Sequence, residues 1–166
     1  MRLLLVDDHA LFRRGLELLL NEIQPYLQLA HCGTRQALET ALESRDAAAF
    51  DLIFLDLHLP GFFGLQSLEY VRQHMPATPV VVVSGEEQSG VIQACLEAGA
   101  AGFVSKSAPA ASQADALEHW LMVFNTSVGD SPAPLSASNG STHGPMAPGV
   151  PAAVPHLTER QKDLWP

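Results

Sequence analysis

The chain has 166 residues, 47% of them hydrophobic, and carries 18 acidic against 9 basic side chains for a formal net charge of -9. This length encloses one hydrophobic core rather than two, and the acidic balance argues against nucleic-acid binding through a basic face. The two cysteines, Cys32 and Cys95, match neither a disulfide framework nor a metal-binding spacing, which favours a reducing, cytoplasmic setting. No apolar run is long enough to cross a membrane, and the first one ends at Asp7, too early for a signal peptide.

The first part of the chain alternates short apolar runs with segments of helical periodicity. Residues 3–6 predict a buried first strand that ends at the acidic pair Asp7-Asp8. A helix follows and is closed by Pro25, with apolar residues at helical spacing: Leu11, Phe12, Leu16, Leu19, Leu20 and Ile23. A weaker second strand lies near residues 27–30, and Thr34 is a suitable N-cap for a second helix.

The third predicted strand is followed directly by an aspartate. Residues 51–55 end in an almost wholly apolar run, which is typical of a strand buried on both faces of a parallel sheet. Asp56 comes next, and Pro60-Gly61 signals a turn shortly beyond it. A carboxylate is costly to bury without partners, and open α/β sheets bind ligands at the carboxyl ends of their strands. We therefore interpret Asp56 as a reactive carboxylate.

Two more strands and three more helices are predicted up to about residue 125. The strands are residues 80–83, which end at Ser84, and residues 102–104, which are followed by Ser105 and Lys106. The helices are indicated by three apolar sets: Leu65, Leu68 and Val71; Val91, Ile92, Cys95 and Leu96; Ala114, Leu117, Leu121 and Phe124. Glu86-Glu87 is expected in an exposed first turn favoured by the helix dipole. Five strands alternating with five helices predict a doubly wound parallel α/β sheet.

The composition changes after the last predicted helix. Residues 126–155 are rich in Ser, Pro, Gly and Ala and have no apolar periodicity, which predicts a flexible linker. In residues 156–166, Thr158 and Gln161 form a capping box, the beginning of a helix that Pro166 stops. The expected domain is therefore residues 1–125.

Polar residues follow four of the five predicted strands, and they indicate phosphoryl transfer. Since the carboxyl ends of parallel strands face one edge, Asp7, Asp8, Asp56, Ser84 and Lys106 should converge on one cleft. Clustered carboxylates repel one another without a cation, and oxygen ligands in an open site favour Mg²⁺. A hydroxyl and an ammonium group suit phosphoryl oxygens. The expected chemistry is transfer of a phosphoryl group onto Asp56 to give an acyl phosphate.

Residues 1–125 resemble the receiver domain of two-component response regulators. The resemblance rests on the order and spacing of Asp7-Asp8, Asp56, Pro60-Gly61, Ser84, Phe103 and Lys106. It implies a flavodoxin-like sheet of order 2-1-3-4-5 and phosphorylation by a sensor histidine kinase. It also implies that Asp8, Asp56 and the His58 carbonyl bind Mg²⁺ directly, that Asp7 binds it through water, and that Ser84 and Phe103 form the switch.

The implied protein is a phosphorylated switch that catalyses only its own phosphorylation and dephosphorylation. Movement of the Ser84 hydroxyl toward the phosphoryl group would vacate space that Phe103 can fill. We expect the changed face to comprise the fourth helix, fifth strand and fifth helix, near Val91, Leu117 and Trp120, and to allow a homodimer.

Residues 157–161 resemble the opening of the LuxR/NarL-type helix-turn-helix. The sequence contains no recognition helix after them, so we expect binding to a specific DNA site only through the missing part of such a domain.

Two other functions fit the same fold. The first is an interaction module that works by docking, independently of phosphorylation, which the intact acidic pair, Asp56 and Lys106 disfavour. The second is a flavin-binding protein, which would need a Ser/Thr/Gly-rich loop where Asp7-Asp8-His9 stands. Taken singly, Asp7 or Asp8 could cap the first helix, His9 could face solvent, and Phe103 could be a core residue.

Overall fold

The computed structural model describes residues 1–45 and 50–129 of the chain. Nearly all of the predicted linker, and the whole of the predicted helix-turn-helix opening, lie outside these residues. The elements in chain order are β1 (Arg2–Val6), α1 (Ala10–Ile23), β2 (Gln28–Cys32), α2 (Arg35–Glu43), β3 (Leu52–Leu55), α3 (Gln66–His74), β4 (Val80–Ser84), α4 (Ser89–Glu97), β5 (Gly102–Ser105) and α5 (Ala110–Gly129).

The strands form one parallel sheet in the order β2-β1-β3-β4-β5. The predicted flavodoxin-like topology is therefore confirmed. The register places Leu55 of β3 opposite both Val6 of β1 and Val82 of β4, and Ser84 opposite Ser105 of β5. This register brings the carboxyl ends of β1, β3, β4 and β5 to the same edge of the sheet.

Helices cover the sheet on both faces, which explains why its central strands are continuously apolar. Side chains alternate between the two faces along each strand. One face packs against α2, α3 and α4 and includes Leu4, Val6, Ile53, Leu55, Val80, Val82 and Phe103. The other packs against α1 and α5 and includes Leu3, Leu5, Leu52, Phe54, Val81, Val83 and Val104. The two apolar layers hold the strand ends in a fixed register.

The packing of α5 on the sheet depends on a glycine in β5. Trp120 is fully buried, and a Cβ atom added to Gly102 would lie 2.0 Å from its indole ring. Only a residue without a side chain lets the indole approach the strand this closely. This contact fixes α5 directly behind the strand that precedes Lys106.

Several local predictions can be compared with the structure. Thr34 is the N-cap of α2, and its hydroxyl accepts a hydrogen bond from the Ala37 amide at 3.1 Å, as predicted. The prediction for Glu86-Glu87 is wrong, because α4 begins at Ser89 and both glutamates lie in the preceding loop. Their hydrogen bonds, described below, draw them away from a helical turn.

The two cysteines behave as core residues. Cys32 and Cys95 are both free and buried, and burial raises the pKa of each thiol to about 11. Within the described residues, no helix combines the length and apolar character needed to cross a bilayer.

Candidate functional site

Two buried carboxylates and one ammonium group meet at the carboxyl edge of the sheet. Asp7 follows β1 and Asp56 follows β3, and each is only 3% exposed. Lys106 follows β5, and its Nζ lies 2.7 Å from Asp7 Oδ2 and 2.8 Å from Asp56 Oδ2. Three residues that are far apart in sequence therefore form one bridged cluster, as the strand-end argument predicts.

The Lys106 ammonium is enclosed by groups that favour its charged form. Burial by itself would lower the pKa of this group, but hydrogen bonds to Asp56 and Asp7 and their negative charges together raise the pKa above its ordinary value. The ring of Phe12, on α1, lies beneath the ammonium with its centroid 4.7 Å from Nζ. Lys106 is therefore a fixed positive charge beside Asp56.

The backbone orients the remaining oxygens of the two carboxylates. Asp7 Oδ1 accepts a hydrogen bond from the His9 amide at 2.7 Å, and Asp56 Oδ1 accepts one from the His58 amide at 3.0 Å. In both cases the donor lies two residues beyond the aspartate, which is the local turn that Asp side chains favour. Each buried carboxylate is thus held at both oxygens.

The carboxylates have the composition of a magnesium site. Carboxylate oxygens of Asp7, Asp8 and Asp56 all lie within 4.8 Å of one another, with Asp8 exposed and the other two buried. An all-oxygen set with an exposed member fits Mg²⁺, which binds few protein groups and keeps waters. The His58 carbonyl stays a predicted ligand. The imidazole of His58 lies between Glu86 and Asp56, with Nε2 2.9 Å from Glu86 Oε1 and Nδ1 3.8 Å from Asp56 Oδ1.

The two predicted switch residues are both buried. Ser84 ends β4, and its hydroxyl accepts a hydrogen bond from the Glu86 amide at 3.2 Å. Phe103 is 3% exposed and lies in the core between the sheet and α4. The switch prediction has the Phe103 ring fill space that the Ser84 hydroxyl vacates. Since the ring is already buried in this structure, the switch role of Phe103 stays a prediction.

Residues near the site were also missed by the sequence analysis. Arg13, on α1, donates a hydrogen bond to the Asp7 carbonyl at 2.6 Å, and Phe12 lies beneath Lys106. The amide of Gln113, on α5, donates to the carbonyls of Lys106 and Ala108 at 2.9 Å and 3.0 Å. The first two could have been found from their position one turn after the acidic pair. Gln113 has no comparable signal in the sequence.

The structure corrects the composition of the expected interaction face. Leu117 and Trp120 are fully buried between α5 and the sheet, so neither can contact a partner. Val91, on α4, is partly exposed, as expected.

Comparison with known proteins agrees with this geometry. The family model "Response regulator receiver domain" matches residues 3–118. The chain belongs to this family. As a response regulator receiver domain, it is a component of phosphorelay signal transduction.

Named relatives of this receiver domain include transcriptional regulators. It is 33% identical over 120 residues to the "Glycerol metabolism activator" of Pseudomonas putida, covering 72% of this chain and 53% of that protein. It is 35% identical over 121 residues to "Transcriptional activator protein ExaE" of the same species, covering 73% and 55%. The chain thus spans about half the length of these curated relatives.

A solved structure shows the same fold at a similar level of identity. The LuxR-family two-component response regulator from Aurantimonas sp. SI85-9A1 matches with a TM-score of 0.61 and 28% identity, over 73% of this chain and 84% of the other.

Proposed function

We propose that Asp56 of this receiver domain accepts a phosphoryl group from a sensor histidine kinase. The observation that carries the proposal is the buried Asp56 carboxylate at the end of the central strand, with the Lys106 ammonium 2.8 Å from one of its oxygens and two further carboxylates nearby. In this arrangement a nucleophilic carboxylate lies inside the protein with an ammonium group hydrogen-bonded to one of its oxygens.

In the transfer step, an oxygen of Asp56 forms a bond to phosphorus while the bond between phosphorus and the kinase histidine nitrogen breaks. The electron pair of that bond stays on the histidine, and the product is an acyl phosphate. Lys106 would neutralise charge on the phosphoryl oxygens, since its ammonium already binds Asp56. The Ser84 hydroxyl, at the end of the adjacent strand, would donate to another oxygen.

A magnesium ion would be held by Asp8, Asp56 and the His58 carbonyl, with Asp7 contributing through water. When bound, it would offset the repulsion between these carboxylates and the incoming phosphoryl group. The domain would act only on itself, taking up its phosphoryl group and later losing it when water attacks the acyl phosphate.

The whole protein is proposed to be a cytoplasmic transcription regulator with a LuxR/NarL-type output domain. The relatives named as activators and the LuxR-family structure support this assignment. Phosphorylation would change self-association of the receiver, and sequence-specific DNA binding would require the output domain.

The test is incubation with phosphoramidate and Mg²⁺, followed by intact mass measurement. We expect the parent chain to gain one phosphoryl group, which hydroxylamine should remove because it cleaves acyl phosphates. Omitting Mg²⁺ should strongly slow the gain. A hydroxylamine-resistant label, or equal labelling without Mg²⁺, would contradict the proposed site.

A further inference from the structure

The loop between β4 and α4 carries two adjacent glutamates, and their carboxylates contact residues on opposite sides of the loop. Glu86 Oε1 lies 2.9 Å from Nε2 of His58, in the loop after β3. Glu87 accepts a hydrogen bond from the hydroxyl of Ser105, the last residue of β5. The loop is therefore attached to the strand end on each side of it.

These attachments reach the strand ends that carry the reacting groups. His58 lies two residues after Asp56, and Ser105 directly precedes Lys106. The loop itself begins after Ser84, which lies opposite Ser105 in the sheet. The Ser84 hydroxyl accepts a hydrogen bond from within this loop, from the Glu86 amide. The orientation of the Ser84 hydroxyl is thus linked to the loop that the two glutamates attach to the neighbouring strand ends.

The bond to Ser105 is the better protected of the two. Ser105 is 7% exposed, and its hydroxyl also accepts a hydrogen bond from the Ser107 amide at 3.1 Å. The His58 and Glu86 side chains are 59% and 46% exposed, so water screens their interaction. The attachment through Ser105 is therefore the stronger constraint on the loop.

We propose that Glu87, acting through Ser105, is a positioning residue that holds the Ser84 loop in the unphosphorylated conformation. This inference rests on the proposed phosphoacceptor function. In the proposed switch, the Ser84 hydroxyl turns toward a phosphoryl group on Asp56, and the accompanying movement of its loop separates Glu87 from Ser105. A bond that exists only in the resting conformation lowers the affinity for any ligand that favours the other one.

Beryllofluoride, which mimics a phosphoryl group on a carboxylate, provides the direct test. It would be titrated with Mg²⁺ into the whole chain while backbone amide resonances are followed by NMR. We expect Glu87→Ala and Ser105→Ala each to bind it about three to ten times more tightly than the parent, the equivalent of one net hydrogen bond. The double variant should bind no more tightly than the tighter single variant, since both remove the same bond.

Two further variants separate the hydrogen bond from simple charge removal. Glu87→Gln loses the negative charge but keeps an acceptor oxygen for Ser105, so its affinity should rise clearly less than that of Glu87→Ala. Glu97→Ala removes a carboxylate from the end of α4, where it accepts a hydrogen bond only from the exposed Gln93 among the described partners, and should leave the affinity unchanged. If Glu87→Gln binds as tightly as Glu87→Ala, charge alone is responsible and the proposal is wrong.

The unliganded variants give a second readout that a merely structural role would not produce. In Glu87→Ala without beryllofluoride, the amide resonances of Ser84 and Phe103 should move part of the way toward their bound positions. Shifts in unrelated directions, or affinities equal to the parent, would overturn the proposal while the phosphoacceptor function stands. A parent chain that binds no beryllofluoride would overturn both.

Discussion

Two aspartates bracket β3, and they have opposite surroundings. Asp51 precedes the strand, is partly exposed, and accepts a hydrogen bond from the backbone amide of Arg2 at 2.7 Å. Asp56 follows the strand, is 3% exposed, and binds Lys106 and the His58 amide. The same type of side chain thus links β3 to β1 at one end of β3 and forms part of a charged cluster at the other end.

The difference shows where this fold concentrates charge. At the amino end of β3, one carboxylate meets one backbone donor of β1 and strengthens the start of the sheet. At the carboxyl end, Asp7, Asp8 and Asp56 share a small volume with a single ammonium group, that of Lys106. Like charges this close disfavour each other. The first arrangement serves stability, whereas the second places mutually repelling charges around the proposed phosphoacceptor.

The largest expected effect is a difference in phosphoryl uptake between variants of the two aspartates. Asp56→Asn should take up no phosphoryl group from phosphoramidate, because an amide is not a nucleophile for this transfer. Asp51→Asn, the same substitution at the other end of the same strand, should be labelled at the parental rate. Intact mass measured over time would check both. Undiminished labelling of Asp56→Asn would remove Asp56 as the acceptor.

Removing the cation should test the charge balance at the carboxyl edge. Lys106→Met leaves Asp7 and Asp56 buried without their common partner, so the free energy of unfolding should fall by about 3 kcal/mol. Added Mg²⁺ should restore part of this loss, because a cation among the carboxylates binds only the folded state. Urea unfolding with and without Mg²⁺ would measure it. An equal effect of Mg²⁺ on the parent and the variant would contradict this account.

Substitution of the two aspartates by asparagine should also change the free energy of unfolding in opposite directions. Asp51→Asn weakens a charge-assisted hydrogen bond and should lower the free energy of unfolding by about 1 kcal/mol. Asp56→Asn removes one of three clustered negative charges while Lys106 keeps Asp7 as a partner, and should raise the free energy of unfolding by about 1 kcal/mol in the absence of Mg²⁺. Chemical unfolding of both variants would decide. A loss of stability in Asp56→Asn similar to that in Asp51→Asn would show that the two ends are energetically alike.

The smallest expected effect is a dependence on alkaline pH. The pKa of Lys106 is raised in the folded protein, so the folded state binds more protons than the unfolded state above the ordinary lysine pKa of about 10.4. The stability contributed by Lys106 should therefore be fully present below that pH and decline as the pH rises through the folded pKa. The difference in unfolding free energy between the parent and Lys106→Met should stay constant from neutral pH up to the ordinary lysine pKa. It should shrink only as the pH rises further, through the folded pKa of Lys106. A decline that begins near neutral pH would contradict it.

Most of the site could be predicted because strand ends follow from local patterns, whereas the strand order was implied only by the resemblance to receiver domains. Each apolar run was short, and polar residues stood directly after it, so Asp7, Asp56 and Ser84 could be placed at one edge. The beginning of α4 could not be predicted in the same way. Glu86 and Glu87 suit a first helical turn, but hydrogen bonds to His58 and Ser105 hold them in the loop. Local preference is weak beside such contacts.

The sequence by itself determined the parallel α/β fold, because its apolar periodicity admits few other arrangements, and it determined which residue types meet at the carboxyl edge. Only the tertiary structure decided how they are paired. Lys106 binds Asp7 as well as Asp56, Phe12 lies beneath it, and Trp120 is buried against Gly102 instead of lying on a surface. Spacing along the chain sets which edge a residue reaches, whereas its partners depend on distances between elements that only packing fixes.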